Sequence, residues 1–400
     1  MKIFLKFACA IIAVIIALSA VSCNKATTSS NVTTDAKQKD EAFNDASDKA
    51  SSADNTVESE QTAKDTLLIN ANGILEESKR AATEAGVYMP DPVMNGATTG
   101  TYPIQGFLLS ASTPSDTYGN GMSIVYRLSD GSLLVFDGGS TSVKYMLYKC
   151  LKDLSGGGKI KIAAWVMTHT HGDHFGAAYD LLNGIYKQDF EIQEFWYNRA
   201  TNSADANNWG GNLTNLFNQL AKNETKIRVL QYGQTYTLDG GKVSAKVLCT
   251  PANFAGQSNI DENTNSLVMM LTIGGKKLLM TGDANEPAWD FMVAQHNSNA
   301  EYSLKCDYLQ MPHHAVHAAG TSAGYAAANP SYVIIPSTTG LARSHCTSSN
   351  ASPTYNFLKN TMGINTQATN LSQTGSNYCY AGNYTQSGTK NVICFFTSTQ

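Results

Sequence analysis

Lys161-Ile162-Ala163-Ala164-Trp165-Val166-Met167-Thr168-His169-Thr170-His171-Gly172-Asp173-His174 is the stretch on which the reading of this chain turns. Residues 161–168 are mostly apolar and read as a buried strand. Three of the chain's eight histidines then fall within six residues, with Asp173 among them. Side chains alternate along an extended backbone, so the strand end sends His169 and His171 to the same side. The turn that follows brings Asp173 and His174 beside them, and residues 175–186 continue as a helix. Imidazole and carboxylate are ligands of zinc and neighbouring divalent metals. A satisfied core histidine explains one such ring, not three with a carboxylate in a tight turn. The cluster therefore reads as a metal site.

Working outward, residues 106–110, 122–128 and 132–136 are short β-branched and aromatic runs, the last two joined by the turn signal Ser129-Asp130-Gly131. Asp137-Gly138-Gly139 breaks the chain, and residues 143–154 have helical spacing. Further on, 212–222 reads as a helix and 226–231, 243–250, 266–273 and 277–281 as strands. Residues 287–295 form a helix opened by Pro287. Strands at 305–311 and 332–336, a short helix at 353–362 and a last strand at 391–397 follow. Strands alternating with helices after an opening meander predict a layered α/β fold with mixed sheets.

The chain has 400 residues, of which 42% are hydrophobic and only 15% charged. That composition supports a sizeable core and excludes a coiled coil, a fully disordered chain and a strongly electrostatic binder. Residues 1–100 carry 9 Lys and Arg against 13 Asp and Glu, so the remaining 300 are neutral overall. A neutral domain has no global field with which to gather polyanions.

Lys2 and Lys6 precede an apolar run over residues 7–21, which ends in Ala20-Val21-Ser22-Cys23. The run is short for a membrane span. Small residues before a cysteine resemble a bacterial lipobox, implying cleavage before Cys23 and a lipid on its sulfur. Residues 1–23 are thus expected to be a lipoprotein signal, and 24–66, nearly devoid of large apolar residues, a disordered tether. Residues 67–100 hold an amphipathic helix at 67–85, stopped at Met89-Pro90-Asp91-Pro92, and a linker. The domain of interest spans 101–400. The protein is expected outside the cytoplasm on the cell membrane, with no obligate protein partner. Six cysteines lie beyond Cys23: Cys150, Cys249, Cys306, Cys346, Cys379 and Cys394. Cys379 and Cys394 flank a Gly- and Thr-rich turn, which leaves open a disulfide across a hairpin or buried free thiols.

His169, His171, Asp173 and His174 resemble the signature of the metallo-β-lactamase superfamily. The resemblance extends in order: Asp137-Gly138-Gly139 is similar to the family's early Asp-Gly-Gly turn, Met280-Thr281-Gly282-Asp283 to its strand-end bridging Asp, and Met311-Pro312-His313-His314 to its last His motif. It implies an αββα sandwich of two mixed sheets flanked by helices, with one or two zinc ions at one edge. The ligands it implies are His169, His171, Asp173, His174, Asp283 and His313, His313 being preferred to His314 because it comes first off the strand. Asp137 is expected to brace an imidazole rather than bind metal. His314 and His317 are secondary candidates; His345 and His296 are expected to be structural, His296 at a helix end against the carbonyl dipole.

One departure is visible. No histidine lies between His174 and His296, where many family members place one. The first metal then has only two nitrogen ligands, and Asn263, Asn265 or water is left to complete it, an oxygen-richer sphere that favours manganese more. Three segments, 263–268, 278–283 and 307–314, are similar to the hydrolase domain of competence DNA-uptake proteins. That likeness implies a phosphodiesterase or nuclease acting on a small-molecule or nucleic-acid phosphodiester. A divalent ion acidifies bound water enough to attack it near neutral pH. Asp173 orients that nucleophile, and His313 protonates the leaving group. The competing readings are a hydrolase of another ester or amide, such as a lactone or β-lactam, and a non-catalytic surface binding module.

Overall fold

The computed structural model describes residues 102–112, 120–200, 210–258, 260–316, 319–338, 344, 346, 352–368, 370–382 and 391–398. The expected signal, tether and 67–100 segment lie outside them, as do His317 and His345. Two seven-stranded sheets make the centre of the fold. The first contains β1 (Gln105–Leu109), β2 (Ser123–Arg127), β3 (Leu133–Asp137), β4 (Ile160–Met167), β5 (Phe190–Tyr197), β6 (Lys226–Arg228) and, from the far end of the chain, β14 (Val392–Thr397). The second contains β7 (Thr235–Leu238), β8 (Val243–Cys249), β9 (Val268–Ile273), β10 (Lys276–Met280), β11 (Tyr308–Gln310), β12 (Tyr332–Ile335) and β13 (Tyr378–Tyr380).

The two sheets share one pairing scheme. In the order β14-β1-β2-β3-β4-β5-β6, pairs are antiparallel as far as β3 and parallel from β3 onward. In the second sheet β7 to β10 pair antiparallel and β10 to β13 parallel. Each sheet thus switches once, at β3/β4 and at β10/β11. Two parallel neighbours end at the same edge, and the carboxyl ends of such strands are where open α/β sheets place their sites.

Helices cover both outer faces. Lys144–Leu154 (α1), Gly172–Asn183 (α2) and Gly210–Lys222 (α3) bury Leu147, Leu151, Phe175, Leu181 and Leu216 against Val135, Trp165 and Phe195 of the first sheet. Glu286–Ser298 (α4) and Ser322–Ala328 (α5) bury Trp289, Met292 and Tyr325 against Leu279, Leu309 and Val333 of the second. Between the sheets lie Ile124, Tyr126, Phe136 and Val166 from one side and Val247, Met269, Leu271 and Leu278 from the other. Apolar side chains buried to this degree stabilise the fold by ~1.5–3 kcal/mol each. The layering is the αββα sandwich expected.

β4 carries a feature the sequence conceals. Ile160, Ile162, Trp165 and Met167 face the helices, whereas Ala164 and Val166 face the second sheet. The parity changes where Leu133 pairs with Ile162 but Leu134 pairs with Ala164. One extra residue at a bulge reverses the facing of everything after it, including the histidines that follow.

Most expected elements are present within a few residues. β5, β7, β13 and α5 were not expected. Phe190-Glu191-Ile192-Gln193 does alternate and gave a signal for β5, but three-residue β13 is too short to carry a pattern. The hairpin disulfide does not form: Cys379 is on β13 of the second sheet, Cys394 on β14 of the first, and all six described cysteines are free thiols. His296 lies in the last turn of α4, but its Nδ1 accepts the Leu304 N–H at 3.2 Å rather than serving the helix carbonyls.

The end of β3 packs directly on α2. A Cβ on Gly138 would lie 2.7 Å from the Ala178 nitrogen and 2.8 Å from its Cβ. The Gly138 N–H donates to the His174 carbonyl at 2.7 Å. Gly138→Ala is therefore expected to lower stability by ~1–3 kcal/mol in chemical denaturation, the usual effect of overpacking against backbone.

Candidate metal centre

Four strand ends deliver the site. Asp137 closes β3, His169–His174 follow β4, Asp283 follows β10, and His313 and His314 follow β11. These are the strands on either side of the two pairing switches. The bracing starts with Asp137, which is fully buried. Its Oδ1 accepts the Thr168 N–H at 2.8 Å. Its Oδ2 accepts the Thr168 hydroxyl at 2.7 Å and the His174 Nδ1–H at 2.7 Å. Burial pushes the Asp137 carboxyl above its ordinary value, against the pull of His174 and Thr168.

These contacts fix tautomers. A carboxylate only accepts, so His174 carries its proton on Nδ1 and presents a bare Nε2. The Thr168 hydroxyl spends its proton on Asp137 and so accepts from His169 Nδ1 at 3.1 Å, which leaves His169 Nε2 bare as well. His314 Nδ1 donates to the Pro336 carbonyl at 2.7 Å, leaving its Nε2 bare. Three second-neighbour contacts thus aim three nitrogen lone pairs inward.

The bare atoms converge. His174 Nε2 lies 3.2 Å from His314 Nε2 and 3.1 Å from Asp283 Oδ2. His314 Nε2 is 3.3 Å from Asp283 Oδ2 and 3.2 Å from Asp173 Oδ2. Asp283 Oδ2 is also 3.9 Å from His169 Nε2 and 3.8 Å from His313 Nε2. The His169 and His171 rings stand edge to face, 4.7 Å apart. Two triplets, His169/His174/Asp283 and Asp173/His174/His314, have ligand atoms mutually within 4.8 Å. His169 Nε2 and Asp283 Oδ1 are buried without a partner among the described residues. Acceptors cannot satisfy one another. Either protons or a cation must lie between them, and the donor set suits zinc or a neighbouring divalent metal.

The ionisation pattern follows. Burial disfavours a charged His174, yet Asp283 and Asp137 hold it well above its ordinary value. Burial also disfavours charged His314, but Asp283 and Asp173 raise it to about 9. Asp283 resists burial through His174 and His314 and sits well below its usual range. Asp173, whose side chain is 21% exposed, is likewise lowered, chiefly by His314. His169 is pushed well down by burial and by His174.

The expected preference for His313 is reversed. His314 is fully buried and touches Asp173, His174 and Asp283, whereas the His313 side chain is 30% exposed at the rim and only its Nε2 approaches Asp283. Backbone geometry is the reason: His313, His314 and Ala315 have φ of 43°, 54° and 63°, three successive residues in the left-handed region. Asn263 and Asn265 are buried, with Asn263 Oδ1 and both Asn265 amide atoms without a partner among the described residues.

Three residues escaped the sequence reading. Gln310 ties β10 to β11: its Oε1 accepts from Thr281 N and Gly282 N at 2.7 and 2.8 Å, and its Nε2 donates to the Gly282 and Met311 carbonyls. A glutamine in a fully buried strand was the available signal. Thr168 relays Asp137 to His169. Glu262, buried, accepts the Thr170 hydroxyl at 2.9 Å. Gly282, at φ 54°, sits so close to Thr168 that a Cβ would meet its side chain at 2.8 Å.

Two expectations follow. Ala315→Gly relieves left-handed strain that exceeds glycine's entropic penalty, so it should stabilise the protein by ~0.5–1 kcal/mol in denaturant titration. In metal-free protein, the raised His314 contributes stability fully below about pH 6.5, and this is lost as pH rises through about 9. Melting temperatures of metal-free protein should accordingly fall across that interval.

The metallo-beta-lactamase superfamily profile matches residues 116–318. Among solved structures, the metallo-beta-lactamase fold protein YhfI from Bacillus subtilis is 15% identical, with 58% of this chain and 85% of that one covered and a TM-score of 0.37. Zn(2+)-bound PqqB from Methylobacterium extorquens is 13% identical, covering 52% and 70%, with a TM-score of 0.31. Unliganded yeast PDE1 is 12% identical, covering 52% and 74%, with a TM-score of 0.33. No curated protein matches. With the profile spanning just over half of its length and the signature residues gathered at one sheet edge, the chain belongs to the metallo-beta-lactamase superfamily.

Proposed function

We propose that this chain is a metal-dependent phosphodiester hydrolase, exported and tethered to the membrane by a lipid on Cys23. The observation that carries the hydrolase reading is the convergence of His174 Nε2, His314 Nε2, Asp173 Oδ2 and Asp283 Oδ2, with the tautomers of both histidines set from behind. His169, His171, Asp173, His174, Asp283 and His314 are the residues to hold one or two ions, zinc first and manganese second. When bound, the ion supplies Lewis acidity and an activated water. Asp173, more open than its neighbours, orients the attacking oxygen. His313, at the rim, is placed to exchange a proton with the departing group, and burial keeps it below its ordinary value against the pull of Asp283.

Phosphodiester as the substrate class rests on the likeness of residues 263–268, 278–283 and 307–314 to competence-type hydrolases. Charge balance refines it. Residues 101–400 carry no net charge, which suits a small diester better than a long polyanion. For export, the support is the basic start, short apolar run and small residues before Cys23. Among the described residues no helix is long and apolar enough to cross a membrane.

Purified protein should hydrolyse bis(p-nitrophenyl) phosphate. Chelation should abolish turnover and zinc or manganese restore it, while His171→Ala and His314→Ala each lower kcat/KM by at least ~100-fold. Turnover surviving both chelation and His314→Ala would overturn the proposal. Turnover of a lactone or a chromogenic β-lactam instead of the diester would reassign the substrate.

A further inference from the structure

With no histidine between His174 and His296, the first metal position lacks the third imidazole that many family members supply, and the structure holds a buried carboxylate, outside the signature, hydrogen-bonded to the residue between His169 and His171. Glu262 is 1% exposed. Its Oε1 accepts the hydroxyl of Thr170, the residue between His169 and His171. Its Oε2 is buried and has no hydrogen-bond partner among the described residues. The 262–265 turn is held by successive backbone bonds, Asn265 N to the Glu262 carbonyl and Ser266 N to the Asn263 carbonyl. Ser266 Oγ in turn lies 3.1 Å from the Asp283 nitrogen. The turn is thereby bound to both the His169–His171 segment and the Asp283 segment.

Among the described residues five buried acceptors here have no partner, Glu262 Oε2, Asn263 Oδ1, Asn265 Oδ1, His169 Nε2 and Asp283 Oδ1, with Asn265 Nδ2 a donor alongside them. A buried carboxylate oxygen with no donor is strongly unfavourable unless a cation or proton answers it. Packing alone does not account for a glutamate here, because glutamine would keep the Thr170 hydrogen bond without the charge. Asn263 and Asn265 offer neutral oxygens. Only Glu262 offers an anion, and the third imidazole it stands in for would be the strongest missing donor.

We propose that Glu262 is a ligand of the first metal position, completing His169 and His171 through Oε2 while Oε1 stays on Thr170. This rests on the metal-hydrolase reading above. With Asp173 and Asp283 it makes three carboxylates for two divalent ions, which leaves the centre net positive toward an anionic substrate. It also shifts that position toward oxygen ligation, which raises its relative preference for manganese.

The test is metal binding, not turnover. Metal-free full-length protein is titrated with Zn2+, and separately with Mn2+ followed by electron paramagnetic resonance. Wild type is expected to take up two equivalents. In Glu262→Gln one equivalent should weaken by at least ~100-fold while the other is unchanged, with the metal-free melting temperature at or above that of wild type. Glu262→His should restore zinc binding at that position. Thr170→Val, which deletes only the hydrogen bond, should keep both ions. Wild-type affinity for both ions in Glu262→Gln would overturn Glu262 as a ligand and leave the metal centre standing. So would equal loss of one ion in Glu262→Gln and Thr170→Val, which would make Glu262 structural. A wild-type protein that binds no ion would overturn the metal-hydrolase reading itself.

Discussion

The carboxylate of Asp137 is the contact on which the rest of the centre depends. It is wholly buried at the end of β3 and accepts three hydrogen bonds, two from Thr168 and one from His174. Through them it sets the protonation of two imidazoles, one directly and one through a hydroxyl. A histidine that could present either nitrogen is a poor ligand until something chooses for it. The surrounding structure serves to keep Asp137 there. Its own φ is 56°, Gly138 allows contact with α2, and the Trp165 indole donates to its backbone carbonyl at 3.2 Å.

The opposite sheet answers with a different device. Asp283 and His314 are fixed not by an acid but by an amide, Gln310, which holds the end of β10, and by the Pro336 carbonyl, which takes the His314 proton. Because both sheets switch from antiparallel to parallel pairing at the strands concerned, the two half-sites are topological counterparts. Side chains from 137 to 314 meet within hydrogen-bonding distance because each sheet sends one pair of parallel strand ends to a common edge. The anionic and imidazole groups gathered there repel when uncompensated. That is why His174 and His314 hold protons so tightly in the absence of a cation, and why metal and proton compete for the same lone pairs.

Strain is concentrated at this edge. His313, His314 and Ala315 occupy the left-handed region in succession, a conformation that L-residues avoid at ~1–3 kcal/mol each. The fold sustains it because β11 is locked by Gln310 on one side and by parallel pairing with β12 on the other. The outcome is functional in form: one histidine is turned fully inward and its neighbour is left at the mouth.

The chain's own order of residues already marked the first cluster of candidate ligands, because His169, His171, Asp173 and His174 are close in sequence and a strand followed by a tight turn gathers them. Alternating apolar runs likewise marked most strands of the layered fold, since backbone geometry alone imposes that period. Three matters were beyond such local rules. The bulge in β4 is invisible in a uniformly apolar run, where a slip of one residue changes no composition. His313 and His314 are chemically identical neighbours, so the one that turns inward is chosen by φ values imposed by packing at the β11 end. Glu262 reaches Thr170 across 92 residues of chain, and its burial exists only in the assembled fold. Composition and spacing fix what a segment can do by itself, whereas burial and the pairing of distant groups arise only when both sheets are assembled.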